Sequence, residues 1–177
     1  SGDIRLSQKE TRKVAEQGAA WAVRNSRALQ SDLERMEEGG QLSGVNTEAV
    51  SDRAFERSRD QLGTLGSGNH FVEVQVVDQI FDEDVARVMG LVRGNIAVMI
   101  HSGSRGFGYE ICSDQLRSMG QTSQKYGIRL VDRQLACAPI TSPEGERYKG
   151  VMSAAANYAW ANRIILCLLY TSDAADE

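Results

Sequence analysis

Residues 61–80, QLGTLGSGNHFVEVQVVDQI, and 95–108, NIAVMIHSGSRGFG, decide the fold class. In the first, Gly63, Gly66 and Gly68 crowd together and release into a β-branched run from His70 to Ile80. In the second, an apolar run from Asn95 to Ile100 delivers directly into His101 and a glycine loop. Such runs bounded by glycine predict strands. Between them, Asp82 to Met89 reads as a short helix ended by Gly90. Helix resumes near Tyr109 and extends to about Tyr126, where Gly127 stops it. Strands alternating with glycine loops and helices indicate an α/β or mixed α+β chain, with a central mixed β-sheet flanked by helices.

The upstream segments read as helix. Ser7-Gln8-Lys9-Glu10 is a capping box, and Val14, Ala15, Gly18, Ala19, Ala22 and Val23 follow at helical spacing, predicting one helix from about Ser7 to Arg24. A charged helical stretch covers Asp32 to Glu38 and stops at Gly39-Gly40. Asn46 or Thr47 can cap a third helix running through Val50, Ala54 and Phe55 towards Arg57. Val151 to Ala161 is Ala-rich and helical. After Asn162-Arg163 the texture shifts to IILCLLY and then TSDAADE, so residues 1–163 are expected to form one partial domain and 164–177 a divergent tail. Trp21, Trp160 and the methionines read as core. Cys112 and Cys137 lie on apolar segments and carry no chemistry.

Composition limits what the chain can do. Of 177 residues, 41% are apolar and 25% charged, ordinary for a globular protein. Twenty basic against 24 acidic residues leave a net charge of −4, which excludes binding nucleic acid through bulk positive charge. Polynucleotide contact must come from a local patch. Three widely spaced cysteines with no C-x-x-C pair point to a reducing, cytoplasmic setting. The N-terminus shows no signal-peptide apolar region, and the longest apolar run, Ile164 to Tyr170, is too short to span a bilayer, so no membrane partner is expected. The lack of an initiator Met suggests a piece of something longer.

Chemistry concentrates at the strand boundaries. The chain's two histidines, His70 and His101, both sit at glycine-rich strand ends. If the two strands are antiparallel neighbours, their imidazoles can converge on one transition-metal ion. On a regular strand Asn69, Phe71, Glu73 and Gln75 share one face, and His70, Val72, Val74 and Val76 the other. A carboxylate, an aromatic ring and an amide on one face suit a purine nucleotide, although Glu73 can equally be a solvated strand position. In SGSRGFG, backbone amides can form an anion nest, with Ser104 and Arg105 able to grip phosphate. It is neither a Walker A loop nor G-x-G-x-x-G. Arg53, Arg57 and Arg59, with Arg105 and Arg133, can supply the local basic patch, or form an ordinary solvated face.

Four blocks, DQLGTLGSGNHFVEVQVVD, MIHSGSRGFGYEI, VDRQLACAPITSPEG and AAANYAWANR, together resemble the RtcB-type tRNA-splicing RNA ligases, in that family's order, from about Ser7 to Arg163. The resemblance implies an enzyme that uses GTP and two Mn²⁺ ions to join RNA 3′-phosphate or 2′,3′-cyclic phosphate ends to 5′-hydroxyl ends through a guanylylated histidine. It implies that His70 and His101 are Mn²⁺ ligands. It also implies that Asn69, His70, Phe71, Val72 and Glu73 belong to the guanylate site, with Glu73 on the base and Asn69 near the phosphate. Arg105, with Arg57 and Ser104, would contact RNA phosphate. The family's early Asp and Cys ligands, a third ligand histidine and the guanylylated histidine have no counterpart here, so the chain resembles a central fragment expected to be inactive alone. The ending IILCLLYTSDAADE departs from the family pattern. Two other functions use the same residues: a metal-dependent phosphoesterase that activates water, and a non-catalytic interaction module in which both histidines are structural.

Overall fold

A computed structural model describes residues 4–172 of the chain. The chain divides into two compact units, one made of residues 1–64 and 103–177 and the other of Leu65–Ser102. The tail sequence DAADE lies outside the described residues.

The first unit is helical. It contains α1 (Gln8–Gln17), α2 (Ala19–Arg24), α3 (Gln30–Leu33), α4 (Asp52–Ser58), α6 (Arg105–Lys125) and α7 (Pro143–Ser172), with short 3₁₀ turns at Glu37–Gly40, Thr47–Ala49 and Arg133–Leu135. The capping box forms as read: Glu10 N–H donates to the Ser7 hydroxyl, and the Glu10 carboxylate accepts from Ser7 N–H at 2.8 Å. The single helix expected over Ser7–Arg24 is interrupted at Gly18, whose φ is +57°. A Cβ there would overlap the Gly40 carbonyl oxygen, so backbone packing, invisible to periodicity, sets the break. The third helix likewise divides: Asn46 caps a 3₁₀ turn, and Ser51 caps α4. The charged stretch from Asp32 forms only the end of α3 and the Glu37–Gly40 turn.

Helix α7 organises the core. Val151, Ala154, Tyr158, Ala161 and Ile165 recur three or four residues apart, forming a buried stripe against Val14, Ala15 and Ala22 of α1 and α2 and against Phe107 and Ile111 of α6. Phe107 links Phe55 and Tyr158, with ring centroids at 5.5 and 5.1 Å. Helix α7 continues past Arg163 to Ser172. Trp21 and Met119 are buried as expected, whereas Trp160 is half-buried and Met89, Met99 and Met152 are exposed.

The second unit is a hairpin: β1 (Phe71–Val76), α5 (Glu83–Met89) and β2 (Ile96–His101). The strands pair antiparallel, Phe71 opposite His101 and Val76 opposite Ile96. Asp82 caps α5, accepting from Asp84 and Val85 N–H, and Gly90 ends it in the left-handed conformation. The α/β class expected from the sequence holds, and among the described residues its sheet is this one two-stranded ladder.

Candidate functional site

The antiparallel register puts the start of β1 beside the end of β2, which is the condition for the two histidines to meet. The His70 and His101 ring centroids lie 6.3 Å apart. Phe71 packs on His101 at 5.1 Å. His70 precedes the first paired residue, so its side chain escapes the strict alternation that would place it opposite Phe71. Phe71, Glu73, Met99 and His101 share one face of the ladder. Glu73 is exposed and accepts a 2.7 Å hydrogen bond from Gln75 Nε2, and Asn69 is exposed in the turn ahead of the strand. Val72 is half-buried on the opposite face.

Imidazole nitrogens bind transition metals at about 2.0–2.2 Å, which puts each ring centroid about 3.3 Å from the ion, so two rings sharing one ion have centroids roughly 4.5–5.5 Å apart at cis or tetrahedral positions and roughly 6.5 Å apart only when nearly trans. The observed 6.3 Å lies at the wide end of that range. Among the described residues no group of three or more His, Cys, Asp or Glu is placed to hold a metal ion.

The remaining phosphate-site candidates belong to the helical unit. Helix α6 begins earlier than expected, at Arg105, so the end of SGSRGFG forms its first turn. Arg105 adopts φ +57°, uncommon for a side-chain-bearing residue, and its Nε donates to Thr64 Oγ1 at 3.3 Å. The Gly106 amide donates to Gln61 Oε1 at 2.7 Å, so that amide of the expected nest already has a protein acceptor. Ser104 sits against Gly108, where a Cβ would overlap its hydroxyl.

Arg57 donates from Nη1 to Glu110 at 3.0 Å and stacks over Tyr109 at 5.3 Å. Arg53 reaches the other oxygen of the same carboxylate at 3.1 Å. Both guanidiniums are substantially exposed, whereas Glu110 is buried. Arg59 turns instead to the Leu6 carbonyl, and Arg133 is exposed in its 3₁₀ turn. The sequence did not single out Glu110 or Gln61. The only available signal was a carboxylate at the apolar start of a helix.

A family model for the tRNA-splicing ligase RtcB matches residues 1–175. The chain belongs to the RtcB family. It is 52% identical over 165 residues to a tRNA-splicing ligase RtcB of Archaeoglobus fulgidus, covering 93% of this chain and 34% of that protein. It is 52% identical over 162 residues to its Pyrococcus furiosus namesake, covering 92% of this chain and 17% of the relative. An RNA-splicing ligase RtcB of Mycobacterium bovis is 48% identical over 167 residues, with 94% and 39% covered. The chain thus spans between a sixth and two-fifths of these RtcB relatives.

Proposed function

We propose that this RtcB-family chain is the metal- and nucleotide-binding portion of an RNA ligase that joins a 3′-phosphate or 2′,3′-cyclic phosphate end to a 5′-hydroxyl end, with GTP and Mn²⁺. The carrying observation is the 6.3 Å approach of His70 and His101, two imidazoles distant in sequence and adjacent in space. Family membership gives the reaction class.

His70 and His101 would hold Mn²⁺, which when bound neutralises phosphate charge and orients reacting oxygens. Phosphoryl transfer rests mainly on positioning and electrostatics. Phe71 offers an aromatic surface beside His101, and exposed Glu73 can accept the N–H donors of a guanine base. Asn69 can donate to a phosphate oxygen. On the helical unit, Arg57 presents an aligned guanidinium, with Arg105 and Ser104 at the start of α6 as further phosphate donors. The chain's two histidines are committed to metal in this scheme, so the histidine that carries GMP is not one of them. Cys112 and Cys137, exposed and without a disulfide, support a cytoplasmic setting.

Mn²⁺ titration of the purified chain, followed by electron paramagnetic resonance, tests the assignment. His70→Ala and His101→Ala should each weaken binding by at least roughly tenfold, since even an outer-shell partner carries that much. Unchanged affinity in both variants overturns it. Incubation with radiolabelled GTP should leave the chain unlabelled. GTP-independent hydrolysis of simple phosphate esters would instead favour a phosphoesterase.

A further inference from the structure

Asn162, on α7, is completely buried, and both ends of its carboxamide hydrogen-bond to backbone. Oδ1 accepts from Gly63 N–H at 2.8 Å and Thr64 N–H at 3.2 Å. Nδ2 donates to the Thr64 carbonyl at 3.1 Å and the Gly103 carbonyl at 3.0 Å. Thr64 is the last residue of the helical unit before the hairpin, and Gly103 is the first after it. One side chain therefore holds both backbone segments through which residues Leu65–Ser102 depart and return.

Neighbouring contacts support the same junction. Gly63 has φ +73°, and a Cβ on it would stand 2.9 Å from Ile165 Cγ2, so glycine lets this backbone approach α7 closely enough for the carboxamide to reach it. One residue further along on each side, within the hairpin unit, Ser102 Oγ donates to the Leu65 carbonyl at 2.7 Å. Ser102 directly follows His101.

We propose that Asn162 is a positioning residue for the histidine hairpin: it fixes the spacing of the two chain segments from which β1 and β2 extend. Metal ligands must be held within about half an ångström to be effective, so the junction beside His101 governs how ready the pair is to bind. The link to metal rests on the function proposed above; the link to the hairpin's base does not.

The fold provides a matched control. Asn157 is also completely buried on α7; it accepts from Leu42 N–H and donates to the Ala15 and Leu42 carbonyls, contacts remote in sequence from the hairpin. Hydrogen–deuterium exchange and Mn²⁺ titration on the intact chain would compare Asn162→Ala with Asn157→Ala. Both should lower the melting temperature. Only Asn162→Ala should speed exchange of the β1 and β2 ladder amides, by roughly tenfold or more, through local opening. Only it should weaken Mn²⁺ binding. Ladder protection unchanged in Asn162→Ala, or lost equally in Asn157→Ala, overturns the proposal. If the alanine variant does not fold, Asn162→Asp decides: it keeps the acceptor for Gly63 and Thr64 and loses the donor to Gly103, so those two amides should stay protected while the ladder loosens. A wild-type chain that fails to bind Mn²⁺ would remove the metal assignment and leave the exchange result to judge Asn162.

Discussion

Tyr158 is fully buried, yet its hydroxyl is satisfied, donating to the Ser58 carbonyl at 2.9 Å. Burial pushes its phenol well above the ordinary tyrosine range, so it stays a neutral donor at any physiological pH. Tyr158→Phe keeps the ring against Phe107 and removes one of two donors to that carbonyl, which still accepts from Gln61 N–H at 3.2 Å. The expected cost is about 0.5–1.5 kcal/mol, measured as a lowered urea midpoint with unchanged slope. At this scale the sequence was informative where a rare residue met an unusual context. Two histidines at glycine-rich strand ends are conspicuous, and the geometry brings them together. Asn157, Asn162, Gln61 and Glu110 are common polar types whose importance comes from burial against backbone or arginine partners far away in the chain. No local pattern encodes such a partner.

Among the elements, boundaries set by capping chemistry were legible except at Ser51, which caps α4, and those set by packing were not. Ser7, Asp82 and Gly90 act where their local chemistry places them. The break between α1 and α2 depends on the approach of Gly40 to Gly18. Gly18→Ala combines a positive φ with a steric overlap against backbone and should destabilise by about 1–3 kcal/mol or more, read from thermal melts. At the other end of the unit, Lys125 on α6 donates to Glu144 on α7 at 2.7 Å, and Tyr126 donates to the other carboxylate oxygen. The Lys125 hydrogen bond holds the Glu144 carboxyl below its usual range. A depressed carboxylate stabilises the fold above its unfolded pKa and loses that contribution as pH falls through the folded value. Glu144→Gln should therefore lower stability at neutral pH, and its gap to the parent should narrow as pH falls through the depressed carboxyl pKa. A constant gap between the two urea midpoints as pH falls would refute this.

On the scale of the whole molecule, the two units differ in how they bury apolar surface. The helical unit has a continuous core from Val14 through Phe107 to Ile165. Within Leu65–Ser102, Ala86 is the buried apolar residue, while Val74, Val76, Phe81, Val88, Ile96, Val98 and Met99 are largely exposed. An isolated two-stranded ladder is marginal in water, so the α/β class was readable from the β-branched runs while the stability of their sheet was not. Unfolding should not be two-state: ladder amides should exchange through a low-energy opening, and those of α1 and α7 through global unfolding. Val74 and Val98 face each other across the ladder, both exposed, on strands whose outer edges have no neighbour among the described residues. Exposed apolar edges template association between chains. Replacing one of the facing pair, Val98→Lys, should reduce concentration-dependent light scattering severalfold and leave the melting of the helical unit unchanged. If scattering persisted undiminished, the ladder would not be the surface through which the chains associate.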